Sequence, residues 1–112
     1  MSDIDFLGIV QWLDGTIWAD DMHGYTSELT EEFGSAIVKK YWNYSSIISS
    51  MRDPQFDGWV YVMNMLVYMI GSNWDMDLED YFDDIADAWG RNMAHKFNIE
   101  SVVRFIEFNH QV

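Results

Sequence analysis

Apolar residues recur at helical spacing along most of the chain, and this pattern predicts a mainly α fold. The strongest example spans residues 77–97, where the apolar positions fall on one narrow stripe of a helix: Leu78, Phe82, Ile85, Trp89 and Met93. Residues 30–51 and 99–109 show the same spacing. We therefore expect about five helices in one compact domain spanning residues 1–112, with no internal repeat.

The most apolar stretch predicts the centre of this fold. Asp53 can cap a helix that begins at Pro54, and Gly71 is a suitable residue to end it. Because residues 59–70 are almost wholly apolar, we expect a helix at about 54–70 that is buried on all sides. The many Val and Tyr residues in this stretch make a buried strand the competing interpretation.

The first 25 residues fit two local structures. A helix closed by Gly15 would place four apolar side chains on one face, whereas the dipeptide Asp14-Gly15 between two apolar runs is typical of a β-hairpin. We favour the helix only slightly and keep a small N-terminal hairpin as the alternative. The four apolar residues of the predicted helix are Phe6, Ile9, Val10 and Leu13.

Composition shows that the chain can fold and that it is strongly acidic. It has 112 residues, of which 49% are hydrophobic, and 19 acidic residues against 6 basic ones give a formal net charge of −13. Such a charge repels nucleic acids and anionic lipids, so we expect direct binding to neither. The absence of cysteine excludes disulfides and thiolate metal sites.

The start of the chain and its apolar runs bear on location. Asp3 and Asp5 stand where a secretory signal would carry positive charge. The run 59–70 is shorter than the roughly 20 residues that a membrane-spanning helix needs. We therefore expect a cytoplasmic protein, located in the host cytoplasm if a phage encodes it.

Two acidic motifs superficially suggest metal binding. Asp75, Asp77 and Glu79 begin like a calcium-binding loop, but the sixth and twelfth positions lack the required glycine and glutamate. The segment 83–87 is similar to the Asp-Asp-x-x-Asp magnesium motif of prenyl-chain enzymes, which pair two such motifs across a large cavity. The histidines and serines have no catalytic spacing. We therefore expect no enzymatic activity, no metal and no cofactor.

One acidic cluster is unusually dense, with seven carboxylates and no base in thirteen residues. Charge runs are usually solvated helix faces, but here like charges repel at the i, i+3 and i, i+4 spacings. If this segment were one continuous helix, it would carry one charge per roughly 2.8 Å. Duplex DNA carries one per about 1.7 Å and a single strand one per about 3.4 Å. The cluster consists of Asp75, Asp77, Glu79, Asp80, Asp83, Asp84 and Asp87.

A second acidic group lies near the start of the chain, where residues 1–38 contain no Lys or Arg. If this segment packs beside residues 77–87, the two groups would form one extended negative surface. Such a surface predicts a basic nucleic-acid-binding protein as partner, for example a nuclease or a component of a CRISPR or restriction system. The candidate binding residues in this second group are Asp20, Asp21, Glu28, Glu31 and Glu32.

In size, charge and lack of cysteine, the chain resembles the small acidic proteins that phages use against restriction or CRISPR systems. Some of those proteins imitate DNA, and the resemblance implies a non-enzymatic inhibitor with a DNA-mimicking carboxylate face. The chain also resembles the acidic immunity proteins that bacteria pair with cationic nuclease toxins, which is the alternative function. A structural or assembly subunit, in which the acids only confer solubility, is a further alternative.

Overall fold

In a computed structural model that describes residues 5–111, this part of the chain is mainly helical and contains no strand. The first half contains α1 (Phe6–Leu13), α2 (Ile17–Asp21), a first 3-10 helix (Met22–Tyr25), α3 (Thr26–Phe33), α4 (Ser35–Tyr41) and α5 (Tyr44–Arg52). The second half contains α6 (Trp59–Met69), α7 (Asn73–Asp77), a second 3-10 helix (Leu78–Tyr81), α8 (Phe82–Trp89), α9 (Arg91–Lys96) and α10 (Ile99–Asn109). The mainly α prediction is confirmed.

The two halves repeat the same order of elements, so the expectation of no internal repeat is wrong. Each half runs through two helices, a 3-10 helix and three further helices. The two halves also have identical residues at equivalent places. The spacing between equivalent residues changes by one within α4 and α9, because α4 has seven residues and α9 has six. The identical pairs are Gly15 and Gly71, Trp18 and Trp74, Asp21 and Asp77, Tyr25 and Tyr81, Gly34 and Gly90, Lys40 and Lys96, Asn43 and Asn98, and Ser46 and Ser101.

Glycines and caps divide the long periodic segments, so the prediction of about five helices is wrong. Gly34 and Gly90 have φ of 92° and 96°, in a region that disfavours other residues and that no α-helix contains. They interrupt the segments 30–51 and 77–97, each of which was predicted as one helix. The apolar spacing survives these breaks because the helices on both sides of each glycine pack against the same core.

The N-terminal helix is confirmed and the alternative hairpin is wrong. Asp5 caps α1 by accepting a hydrogen bond from the Gly8 N–H at 2.8 Å. The apolar face predicted for this helix is largely buried, with Ile9, Val10 and Leu13 inside the core. The C-terminal helix α10 is also confirmed, with Asn98 as its cap, accepting from the Ser101 N–H at 2.9 Å.

The predicted central helix is shorter and less buried than expected. Asp53 accepts a hydrogen bond from the Gln55 N–H at 2.9 Å in a turn, and α6 begins only at Trp59. One face of α6 packs against α5 and α10, whereas Val67 is 49% exposed on the opposite face. Burial on all sides is therefore wrong, because four apolar side chains face outward: Val60, Tyr61, Val67 and Tyr68.

A pair of stacked tryptophans joins the two halves. The rings of Trp18 and Trp74 lie 4.2 Å apart and almost parallel. The indole N–H of each donates to the backbone carbonyl of the other at 2.7 Å. The Trp18 N–H also donates to the Tyr81 hydroxyl at 3.0 Å. Such reciprocal contacts indicate a local two-fold axis between the halves.

Replacing Trp74 with phenylalanine should destabilise the fold, because it removes one of the two reciprocal hydrogen bonds and part of the stacked ring. We expect the free energy of unfolding to fall by about 2–4 kcal/mol in chemical denaturation. The control is Trp12→Phe at an exposed position, which should change it by no more than about 0.5 kcal/mol. Equal effects at both positions would contradict the structural importance of the pair.

Tyr44 gives a second prediction, because its buried hydroxyl has no hydrogen-bond partner. Burial, with a smaller contribution from Asp14, raises the pKa of Tyr44 well above its usual value. As the pH rises, the Tyr44 hydroxyl therefore loses its proton in the unfolded chain before it does so in the folded protein. The titration of Tyr44 therefore leaves the free energy of unfolding unchanged below about pH 10 and lowers it as the pH rises further.

Tyr44→Phe should remove this part of the alkaline destabilisation and raise the free energy of unfolding at pH 7 by about 1 kcal/mol. Urea denaturation between about pH 7 and pH 11 measures both effects. The control is Tyr61→Phe, which removes an exposed hydroxyl and should do neither. A loss of stability at pH 7 in Tyr44→Phe would contradict an unpartnered hydroxyl.

Candidate partner-binding surface

The predicted binding residues are almost all exposed, but they do not lie on one helix. The dense cluster at 75–87 extends over α7, the second 3-10 helix and α8. The expected charge spacing of one continuous helix is therefore wrong, since no more than three of its carboxylates share one α-helix. Asp75 and Asp77 lie on α7, and Asp83, Asp84 and Asp87 lie on α8.

Asp75 differs from the rest of the cluster because it is half-buried. Its carboxylate accepts a hydrogen bond from the Gly71 N–H at 2.8 Å, and its own N–H donates to the Ser72 hydroxyl at 3.3 Å. These bonds fix the turn that leads into α7. Asp75 therefore has a structural role in addition to its charge.

Part of the second acidic group does meet the first one. Asp20 and Asp21, at the end of α2, line a shallow cleft of about 430 Å³ together with Gly24, Tyr25 and Asp77. The cleft forms because α2 packs against α7 around the stacked tryptophans. Glu28, Glu31 and Glu32 lie further along the chain on α3 and are exposed.

Carboxylates of both halves help to raise the pKa of Tyr25. Desolvation is the largest cause that raises the pKa of Tyr25, and the negative charges of Asp77, Glu28 and Asp21 raise it further. The backbone of Trp74 lowers this pKa. The contribution of Asp77 comes from the other half of the chain. Asp21, Tyr25 and Asp77 all line the cleft at which the two acidic groups meet.

Little positive charge offsets these acids. Within residues 5–111 one ion pair forms, between Glu100 and Arg104 on α10 at 3.3 Å, as their i, i+4 spacing predicts. Arg91 follows Asp87 by four residues but lies over the ring of Phe82, 5.5 Å from its centre. The six basic residues are confined to α4, α5, α9 and α10: Lys39, Lys40, Arg52, Arg91, Lys96 and Arg104.

The candidate acidic face is therefore the exposed surface of α2, α3, α7, α8 and the two 3-10 helices. Its carboxylates include three pairs at equivalent places of the repeat, related by the same spacing from Gly34 and Gly90. The face carries no base of its own. The equivalent pairs are Asp21 and Asp77, Glu28 and Asp84, and Glu31 and Asp87.

Sequence analysis missed the aromatic residues that organise this face. In each half a Gly-Thr or Gly-Ser dipeptide is followed by Trp, Asp and Tyr at identical intervals, as Trp18, Asp21 and Tyr25 illustrate. Aligning the chain with itself on that pattern would have revealed the repeat. Trp42 is another such aromatic residue, because its side chain is buried and its indole N–H donates to the Met22 carbonyl at 2.7 Å.

A larger groove of about 600 Å³ lies beside the acidic face in the second half. Its lining includes the buried apolar side chains of Leu78, Ile85 and Phe97, together with Glu79 and Asp75. The groove opens between the second 3-10 helix, α8 and α9. It places a hydrophobic cavity directly next to two carboxylates.

Neither a metal-binding cluster nor a membrane-spanning helix is found within residues 5–111. Residues 5–111 contain no group of three His, Asp or Glu side chains arranged to hold a metal ion. No helix in that range is long and apolar enough to cross a membrane. Comparisons with protein-family models, curated proteins and solved structures found no match to this chain.

Because the acidic face carries clustered carboxylates and almost no ion pairs, screening by salt should stabilise the fold. We expect the melting temperature to rise between low salt and about 0.5 M NaCl, as repulsion is screened. Differential scanning calorimetry measures the change. A flat or falling melting temperature would mean that the carboxylates do not repel one another appreciably in the folded state.

Proposed function

We propose that this protein is a non-enzymatic inhibitor that occupies the basic groove of a nucleic-acid-binding protein through its acidic face. The observation that supports this most is the segregation of charge. Exposed carboxylates of both halves extend over α2, α3, α7 and α8, while every Lys and Arg lies on other helices. The partner is a nuclease or a component of a CRISPR or restriction system.

The cost of keeping these carboxylates unpaired supports a binding role. Exposed like charges on a helix destabilise it by a few tenths of a kcal/mol per pair, and α8 carries three of them with no base on that helix. A basic groove would relieve the repulsion and gain attraction at the same time. Such complementarity mainly accelerates association.

The repeat distributes the negative charge over two related acidic segments. Its two-fold relation places equivalent carboxylates in the two halves, instead of one charged rod on a single helix. A DNA duplex likewise presents its two phosphate strands related by local two-fold axes, and many DNA-binding proteins have matching symmetry. Mimicry in this form relies on the pairing of two acidic segments across the tryptophan stack.

The proposal is tested with a triple reversal on the second half: Asp80→Lys, Asp84→Lys and Asp87→Lys. Proteins retained by the immobilised parent from a heparin-binding bacterial fraction are identified, purified and loaded with a labelled DNA duplex. We expect the parent to displace the DNA and the triple variant to need at least about tenfold more protein, mainly through slower association.

The matched control reverses three exposed acids elsewhere: Asp53→Lys, Asp57→Lys and Glu107→Lys. It changes the net charge by the same amount, so it separates the position of the charge from its total. Circular dichroism checks that both variants remain folded. If the triple variant displaces DNA as well as the parent does, or if both variants lose activity equally, a specific acidic face is ruled out.

A further inference from the structure

Phe97 lines the groove in the second half, and the residue at the equivalent place in the first half is a tryptophan. Trp42, at the end of α4, is buried against Trp74 with ring centres 5.4 Å apart. Phe97 takes the equivalent position at the end of α9, but its ring packs towards Phe6 of α1. The second half therefore lacks the indole that fills the first.

A second substitution between the halves widens this difference. Val38, four residues after Gly34, is replaced by Ala94, four residues after Gly90, and both side chains are buried. The smaller Ala94 lines the groove. The replacement of an indole by a phenyl ring and the loss of two methyl groups both remove side-chain volume from the lining of the groove.

The polar partner of the missing indole remains in place. In the first half Met22, the first residue of its 3-10 helix, accepts the Trp42 indole N–H through its carbonyl oxygen. Leu78 is the equivalent residue and lines the groove. Among the hydrogen bonds of residues 5–111, no side chain donates to the Leu78 carbonyl.

The rim of the groove favours a positively charged ligand. Glu79 and Asp75 line it, as do His95 and Phe82, whose rings lie 4.7 Å apart. Arg91 lies 5.5 Å from the centre of the Phe82 ring, so the two carboxylates outnumber this base. Met76, which is 59% exposed, adds a flexible apolar side chain. An aromatic ring bound in the groove would thus lie beside carboxylates that attract an adjacent cation.

From these observations we infer that the groove binds a tryptophan side chain flanked by Lys or Arg on a partner protein. The inserted indole would take the place that Trp42 fills in the first half, while the flanking base would meet Glu79. This inference rests on the proposed function, since it assigns an anchor residue to the basic partner. It adds an apolar contact to what is otherwise an electrostatic interface.

The test uses blocked Lys-Trp-Lys and Lys-Ala-Lys tripeptides, which carry equal charge, in NMR titrations of the isotope-labelled protein. We expect saturable binding of the tryptophan peptide with a Kd of about 1 mM and shift changes centred on Ala94 and Phe97. The alanine peptide should bind at least about tenfold more weakly. A blocked Glu-Trp-Glu tripeptide should also bind more weakly, because Glu79 and Asp75 repel it.

Two variants close the groove to different extents. Ala94→Leu adds bulk to its wall, and Phe97→Trp restores the residue found in the first half. Each should weaken binding of the tryptophan peptide at least about tenfold. The matched control is Ala36→Leu, the same change at an exposed position on α4, which should leave the Kd within about twofold.

The inference is overturned if the tryptophan peptide does not bind, binds outside the groove, or binds no better than the alanine peptide. It is also overturned if a folded Ala94→Leu variant binds as tightly as the parent. Since these titrations contain no partner protein and no DNA, their result is independent of the displacement assay. Loss of one result with retention of the other shows which proposal has failed.

Discussion

The reciprocal contact between Trp18 and Trp74 is the interaction on which the rest of the structure depends. It joins two segments that are 56 residues apart, and each indole satisfies a carbonyl of the other segment in the buried interior. Neither half could bury its tryptophan in this way alone, because the acceptor lies in the other half. Around this pair, α2 packs against α7, and α5 packs against α6 and α10.

The same contact organises the acidic surface. The two halves share the residues that follow each tryptophan. Asp21 and Asp77 come three positions later, and Tyr25 and Tyr81 come seven positions later. Stacking the tryptophans therefore brings carboxylates of both halves to one cleft. Repulsion between these carboxylates destabilises the fold. The burial of apolar side chains in the core outweighs this repulsion and holds the acidic elements together.

Divergence between the halves is as informative as their similarity. Trp42 in the first half and Phe97 in the second have the same place in the chain order, yet one completes a buried hydrogen bond and the other leaves a groove. Val67, which is exposed on α6, likewise has no apolar counterpart, because Gln11 takes its place on α1. Two halves with the same order of helices can thus differ in packing at a few positions.

Helical periodicity, caps and charge could all be read from the sequence, which is why the mainly α class, α1, α10 and the exposure of the acids were predictable. These properties depend on residues a few positions apart. The lengths of the helices were not predicted, since Gly34 and Gly90 break the helix without breaking the apolar spacing. The meeting of Asp21 with Asp77, the burial of Trp42 and the groove beside Glu79 were decided by tertiary structure, because each depends on packing between segments that are distant in the chain.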